Sequence, residues 1–393
     1  MRVFHFSEQP YPPAWLPELK SLRVDLPSKN MDPKIMADLY ERYIDEWVLA
    51  DQLGFDVMVN EHHASATCVS SVAGVTLSIL ARVTKRARIL TLGYPIGNRL
   101  DPVRVAEELA MIDVISRGRL EMGFVRGVPT EIPVAVRSGV TQVERFWEAH
   151  DLILKALTSI DAPFDWQGEH FQYRNVNVWP RCYQAPHPPV WITGRSPANV
   201  REIAEKGYVL GTFLSGYQTR EIFDNYRNAR LELGLSPATP DRFSYLGLVA
   251  IAQTRKEAER RAEIMRKWLY SVSLVSEPFG NPPGYFSVKD SARMLRARGG
   301  LKGKTREGKV VDSLHGTLPE LIDAGIMFCG TPDDVYRQLS DFSEGVGGLG
   351  NFLSMAHAAD LSHDETVDQI TLFGKEVLPR LKQASEAKTA AIA

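Results

Sequence analysis

Short apolar runs alternate along this chain with longer segments whose apolar positions recur every third or fourth residue, the two periods of strands and one-sided helices. "RVFHFS" (2 to 7) reads as a strand, and "DPKIMADLYERYIDEWVLADQLG" (32 to 54) as a helix with Asp32 as its cap, Pro33 at its first position and Gly54 at its end. The pairing then repeats. "FDVMVN" precedes "CVSSVAGVTLSILARVT", "RILTLGY" precedes "DPVRVAEELAMIDVISRG", again opened by Asp-Pro, and "RLEMGFV" precedes "TQVERFWEAHDLILKALTS". "PVWITG" leads to "SPANVREIAEKG", "YVLGTFL" to "YQTREIFDNYRNARLELG", "RFSYLGLVAIA" to "TRKEAERRAEIMRKWLYSVS", and "LGNFLSMA" to "DETVDQITLFGKEVLPRLKQ". That makes eight strand-helix units in 393 residues. The alternation argues for a parallel sheet, and eight repeats argue for closure into a (β/α)8 TIM barrel, a single α/β domain over 1–393 with insertion loops at the C-terminal face of its strands.

Two stretches interrupt the repeat. Residues 161 to 189 carry two aromatic-rich runs separated by Gly168, which predicts a hairpin-bearing loop. Residues 277 to 318 are rich in Gly and Pro without a long periodic pattern, which predicts a mobile lid insertion. From 289 to 309, Lys289, Arg293, Arg296, Arg298, Lys302, Lys304, Arg306 and Lys309 face only Asp290 and Glu307. This basic stretch reads either as a solvated mobile loop or as a lid that attracts an anionic cofactor or substrate.

Composition narrows the function classes. A net charge of −2 gives no global pull towards nucleic acid or anionic membrane, so small-molecule chemistry is the better expectation. Cys68, Cys182 and Cys329 are far apart and odd in number, which suggests neither a disulfide framework nor a CxxC metal site. With no basic-then-apolar start and no apolar run of the roughly 18 residues a bilayer needs, a cytoplasmic protein is expected.

The candidate chemistry lies where strands should end. In "FDVMVNEHHASA" (55 to 66) the second strand runs into Glu61, His62 and His63. A metal reading is weak, because adjacent histidines on an extended chain point in opposite directions and no third ligand follows at helical spacing. A histidine titrating near neutral pH can instead hold or move a proton. In "SRGRLEMGFVRGVPTE" (116 to 131), Arg126-Gly127 follows the fourth strand, where a guanidinium can fork onto a phosphate and glycine allows close backbone approach. In "PVWITGRSPANVREIAEKG" (189 to 207), the fifth strand passes through Gly194-Arg195-Ser196 into a helix N-terminus, an anion site by geometry. Capping and solvation would explain either turn as well. Neither matches Walker A or GxGxxG.

Together these segments resemble the bacterial luciferase-like flavin-dependent monooxygenases, from the first strand through "GTPDDVYRQL" (330 to 339). The resemblance implies a two-component monooxygenase that takes reduced FMN from a separate NAD(P)H-dependent flavin reductase and uses O2, through a peroxyflavin, to oxygenate a small apolar substrate. It places His62 near the reactive edge of the flavin, with Glu61 orienting the strand end or a ring nitrogen, and Gly93 and Tyr94 beside the isoalloxazine. It puts Arg126, with the turn of Gly194, Arg195, Ser196 and Asn199, on the flavin phosphate. An apolar pocket is expected from Phe6, Tyr94, Phe213, Tyr285 and Phe286. A homo-oligomer is expected, with no metal. Val125 stands where luciferase has a cysteine, which argues against light emission from the same substrate. The alternatives are a deazaflavin F420-dependent oxidoreductase of the same superfamily and a non-catalytic flavin-binding protein.

Overall fold

A strand with apolar residues on both faces needs neighbours on both sides, and the chain provides them by closing its sheet. With every strand numbered along the chain, β1 (Arg2–Ser7), β2 (Asp56–Val59), β3 (Ile89–Pro95), β4 (Leu120–Val125), β7 (Val190–Thr193), β8 (Val209–Phe213), β9 (Phe243–Ile251) and β13 (Asn351–His357) pair in parallel in that order. β13 then returns to β1. All eight predicted strands are present, and the predicted (β/α)8 barrel is the fold. The computed structural model describes residues 1–135, 137–289, 291–292 and 301–392.

Side chains alternate between two cores. Phe4, Phe6, Met58, Leu90, Leu92, Trp191 and Leu353 belong to the cluster inside the barrel, while Val3, Val57, Ile89, Met122, Phe124 and Phe352 pack against the surrounding helices. The barrel floor is polar but satisfied: the buried Glu121 accepts from Arg2, Arg88 and Trp191 Nε1 at 2.7–2.9 Å. Helix starts follow the sequence signals. Asp32 caps α1 (Pro33–Gln52) by accepting from the Lys34 N–H, and Asp101 caps α3 (Pro102–Ser116) through the Arg104 N–H. Between them lies α2 (Ala73–Val83). Gly54 follows α1 at φ +88°, the left-handed conformation that glycine adopts without strain. Among the described residues no helix is long and apolar enough to cross a membrane.

The insertions differ in how far the sequence described them. β5 (Phe164–Gln167) and β6 (Gln172–Val176) form the predicted hairpin about Gly168. The Glu148 carboxylate holds it, accepting from Trp166 Nε1 and from the His170 and Phe171 N–H groups. The described parts of the 277–318 stretch include regular structure that its composition did not signal. β10 (Lys302–Lys304) and β11 (Val310–Asp312) make an antiparallel hairpin in which Gly303 and Val311 are buried. Lys302, Lys304 and Lys309 pair with Asp312, Glu221 and Glu320. Those three lysines are therefore not unpaired charges awaiting an anion, which corrects the basic-lid reading at these positions. Asp290, Arg293, Arg296 and Arg298 lie outside the described residues. A further strand, β12 (Met327–Gly330), has no counterpart in the sequence expectations. It pairs with the upper half of the long β9, beyond the residues that β8 takes.

Candidate functional site

At the C-terminal end of β2, alternation separates the three ionisable neighbours. Asn60 donates to Glu8 Oε2 at the end of β1 (2.9 Å). Glu61 turns the other way. Its buried carboxylate takes Arg99 Nη2 at 2.6 and 2.7 Å, accepts from the Ala73 N–H opening α2 at 2.9 Å, and lies 3.2 Å from His63 Nε2. Among the described residues its carboxylate has no hydrogen bond to the His62 ring. Its oxygens tie the strand end to α2, and the ring nitrogen it meets is that of His63.

The partner of His62 is Glu131, in the short helix α4 (Glu131–Val134) after β4. Glu131 Oε1 lies 2.8 Å from His62 Nδ1 and accepts from the His63 N–H at 3.0 Å. Burial works to lower the His62 pKa, but Glu131, with a smaller contribution from Glu8, raises it above the ordinary 6.5. Burial would likewise raise the Glu131 carboxyl, and the same contact with His62 lowers it below its usual value. Glu131 is the last residue of the segment that drew attention to Arg126. Nothing in the sequence connects it to a histidine 69 positions earlier.

β4 and β7 are neighbours, so their ends bring Arg126 and Arg195 to the same side of the mouth. The Arg126 guanidinium lies 4.0 Å above the Tyr285 ring. Arg195 reaches only neutral oxygens, Gln218 Oε1 at 3.3 Å and the Lys302 carbonyl at 3.1 Å, and burial lowers its pKa. Among the described residues neither guanidinium has a carboxylate within ion-pair distance. Ser196 caps α6 (Pro197–Glu205) through the Asn199 N–H. Asn199 spends its side-chain amide on the Thr193 carbonyl (3.1 Å), so of the four turn residues expected at a phosphate it is the one turned back to the strand. Gly194 has no spare room, since a Cβ there would lie 2.8 Å from Ile203 Cδ1. Two guanidinia without carboxylates, beside a helix N-terminus, fit a phosphate-bearing cofactor.

The expected apolar pocket is redrawn. A Cβ on Gly93 would fall 2.5 Å from Val125 Cγ1, so the ends of β3 and β4 meet closely there. The register shift between Leu92 and Tyr94 turns Tyr94 outward, where it is fully buried against the helices with its hydroxyl on Glu108. Tyr94 thus does not line the pocket. Phe6 belongs to the closed barrel interior and Phe213 is exposed. Tyr285 is buried, edge-on to Phe286, and donates to the Gly127 carbonyl at 2.5 Å. His62 also lines a cleft of about 330 Å³ with Tyr11, Leu26, Met31, Met36 and Tyr40. Among the described residues no cluster of His, Cys, Asp and Glu could hold a metal.

A parallel (β/α)8 barrel with a histidine at the end of its second strand and arginines at the ends of its fourth and fifth is the frame in which this chain compares with known proteins. The chain belongs to the luciferase-like monooxygenase family, whose model matches residues 27–348. The Sinorhizobium fredii protein y4wF is 30% identical over 237 residues, 58% of this chain and 68% of that one. The oxygenase component of a flavin-dependent trigonelline monooxygenase from Acinetobacter baylyi is 28% identical over 44% of this chain, which covers 48% of it. The alkanal monooxygenase alpha chain of the Kryptophanaron alfredi symbiont is 22% identical over 88% of this chain and 94% of its own. The fold is shared with the oxygenating constituent of the Pseudomonas putida 3,6-diketocamphane monooxygenase, solved with FMN (TM-score 0.69, 20% identity, 96% of this chain and 98% of that one). An F420-dependent secondary alcohol dehydrogenase shares it too (TM-score 0.63, 16% identity, 87% and 94%).

Proposed function

We propose that this protein is the oxygenase component of a two-component monooxygenase, receiving reduced FMN from a separate NAD(P)H-dependent reductase and oxygenating a small apolar substrate with O2. The observation that carries this reading is the pair Arg126 and Arg195, guanidinia with no carboxylate within ion-pair distance among the described residues, at adjacent strand ends of the same mouth as His62. Reduced flavin, when bound, supplies the electrons that activate O2. The chain's part is to bind the phosphate through Arg126, Arg195 and the Ser196 turn, with the ends of β3 at Gly93 and Tyr94 offering backbone beside the ring. His62 holds or moves the proton through its ring. The cleft beside His62, with Leu26, Met31 and Met36 in its wall, is the place for an apolar substrate. Incubation with FMN, a generic flavin reductase and candidate apolar substrates should give oxygenated product; absence of product across terpenes, ketones and aldehydes counts against the reading.

The F420 alternative has a longer, more acidic tail to neutralise. Lys302, Lys304 and Lys309 already have carboxylate partners, which favours FMN. Aerobic absorbance after reconstitution separates the two, because bound reduced FMN reoxidises readily in air and reduced F420 slowly. A non-catalytic flavin-binding protein would bind FMN and turn over nothing in the same screen.

The 277–289 segment extends the reading to water exclusion. Tyr285 bridges Arg126 and Gly127, and Gly139 is packed so tightly against the Tyr285 backbone that a Cβ would lie 2.6 Å from its nitrogen. Tyr285→Ala should uncover the cofactor side of the mouth and raise hydrogen peroxide release several-fold at the expense of product, measured per flavin oxidised. Unchanged coupling would make the segment a surface feature. The homo-oligomer reading finds support on α2 and α3, which expose Val75, Ile79, Met111, Val114 and Ile115 on neighbouring helices. Sedimentation should show more than one copy at micromolar concentration, and Val75→Lys with Met111→Lys should return a monomer.

A further inference from the structure

The carboxylate of Glu131 is almost wholly buried, and its Oε2 has no hydrogen-bond partner. Among the described residues no arginine or lysine reaches it; both donors to its other oxygen come from the 62–63 corner, the His62 ring and the His63 N–H. A buried carboxylate without a cation is costly, and His62 is the group placed to supply one. Among the described residues the His62 ring is hydrogen-bonded only through Nδ1, and its side chain keeps some exposure to the cleft. The ring is therefore clamped at one nitrogen and open at the other, on the wall of the cleft.

We propose that Glu131 is the positioning residue of this site, fixing the His62 ring through Nδ1 and favouring its protonated form, so that Nε2 is the proton donor offered to the reacting partners. The proposal rests on the assignment of His62 to the reactive end of the site and names the group that sets its protonation. Glu131 stands on the same loop as Arg126 and Gly127, both in contact with Tyr285, so the 277–289 segment bears on the residue that charges His62. The other titratable or charged groups facing the pair among the described residues include Glu8 from the end of β1, Arg23 from the segment before α1, and His63. Glu8 favours the imidazolium and Arg23 opposes it, and neither hydrogen-bonds the ring.

The test is imidazole NMR on the cofactor-free protein with labelled histidine, the His62 signal being assigned among the nine histidines by its loss in His62→Ala. The native His62 midpoint should lie above 6.5 and fall to 6.5 or below in Glu131→Gln, which keeps the side-chain shape and removes the charge. Glu8→Gln should move it less. In turnover, Glu131→Gln should shift the basic limb of the pH profile downward while FMN affinity stays within about twofold, a split that a purely structural lesion would not produce. A native midpoint at or below 6.5 overturns the proposal without any variant, as does an unchanged midpoint in a folded Glu131→Gln protein or a larger shift in Glu8→Gln. Because the titration needs no cofactor or substrate, failure of the monooxygenase reading would appear separately, as absent product from a protein whose His62 still titrates as expected.

Discussion

Replacing His62 with alanine is expected to lower product formation by about 10²-fold or more, the scale of a lost acid-base or positioning group, while FMN binding stays nearly intact. The geometry separates the two effects. His62 stands at the end of β2 and meets Glu131 through Nδ1, whereas the candidate phosphate groups stand at the ends of β4 and β7. The substitution also leaves the buried Glu131 with only the His63 N–H, so some loss of stability should accompany it. The pH dependence of that loss has a definite sense. The raised His62 pKa makes its share of the pair's stabilisation fully present below 6.5 and lost as pH rises through the folded value; the lowered Glu131 pKa makes its share present above the ordinary carboxyl range and lost as pH falls through its folded value. Urea midpoints of the native and His62→Ala proteins should therefore differ most in mildly acidic solution and converge towards both extremes. Product yield per reduced flavin is the deciding measurement: an unchanged yield would remove His62 from the chemistry.

The second large effect is expected at Arg195. Its partly buried guanidinium meets two neutral oxygens and, among the described residues, no carboxylate, an arrangement that gains most when an anion arrives. Arg195→Ala should weaken FMN binding by about 1.5–3 kcal/mol, the range for a hydrogen bond to a charged group, which is on the order of ten- to a hundredfold in Kd. Arg126→Ala should act in the same direction but less strongly, because the Tyr285 ring already stabilises that cation. Riboflavin, which has no phosphate, is the control. Titration of both flavins by fluorescence or calorimetry should show the loss for FMN alone, and equal losses would place Arg195 away from the phosphate.

The strand-helix rhythm was enough to determine the barrel, because period-2 and period-3.6 burial is written locally and eight such units have few ways to bury both strand faces. The Asp-Pro helix starts before α1 and α3 and the Gly168 hairpin were equally local, set by backbone chemistry within a few residues. The strand ends also located His62, Arg126 and Arg195, since barrel topology brings such ends to one face whatever lies between them. Side-chain direction was decided by tertiary structure. One register shift at Gly93 sends Tyr94 to the helices instead of the pocket, and a one-residue change in register reverses every following side chain. β12 escaped notice because four residues between two helices carry too little period to read, and its strand character comes from the free upper edge of β9. The paired lysines of the β10–β11 hairpin looked like free charge because their carboxylates, Glu221 and Glu320, lie outside the basic stretch. Glu131 was in plain view, but a contact across 69 residues has no local signature: the sequence determined which groups reach the mouth, and only the packing of the loop after β4 decided which of them meets His62.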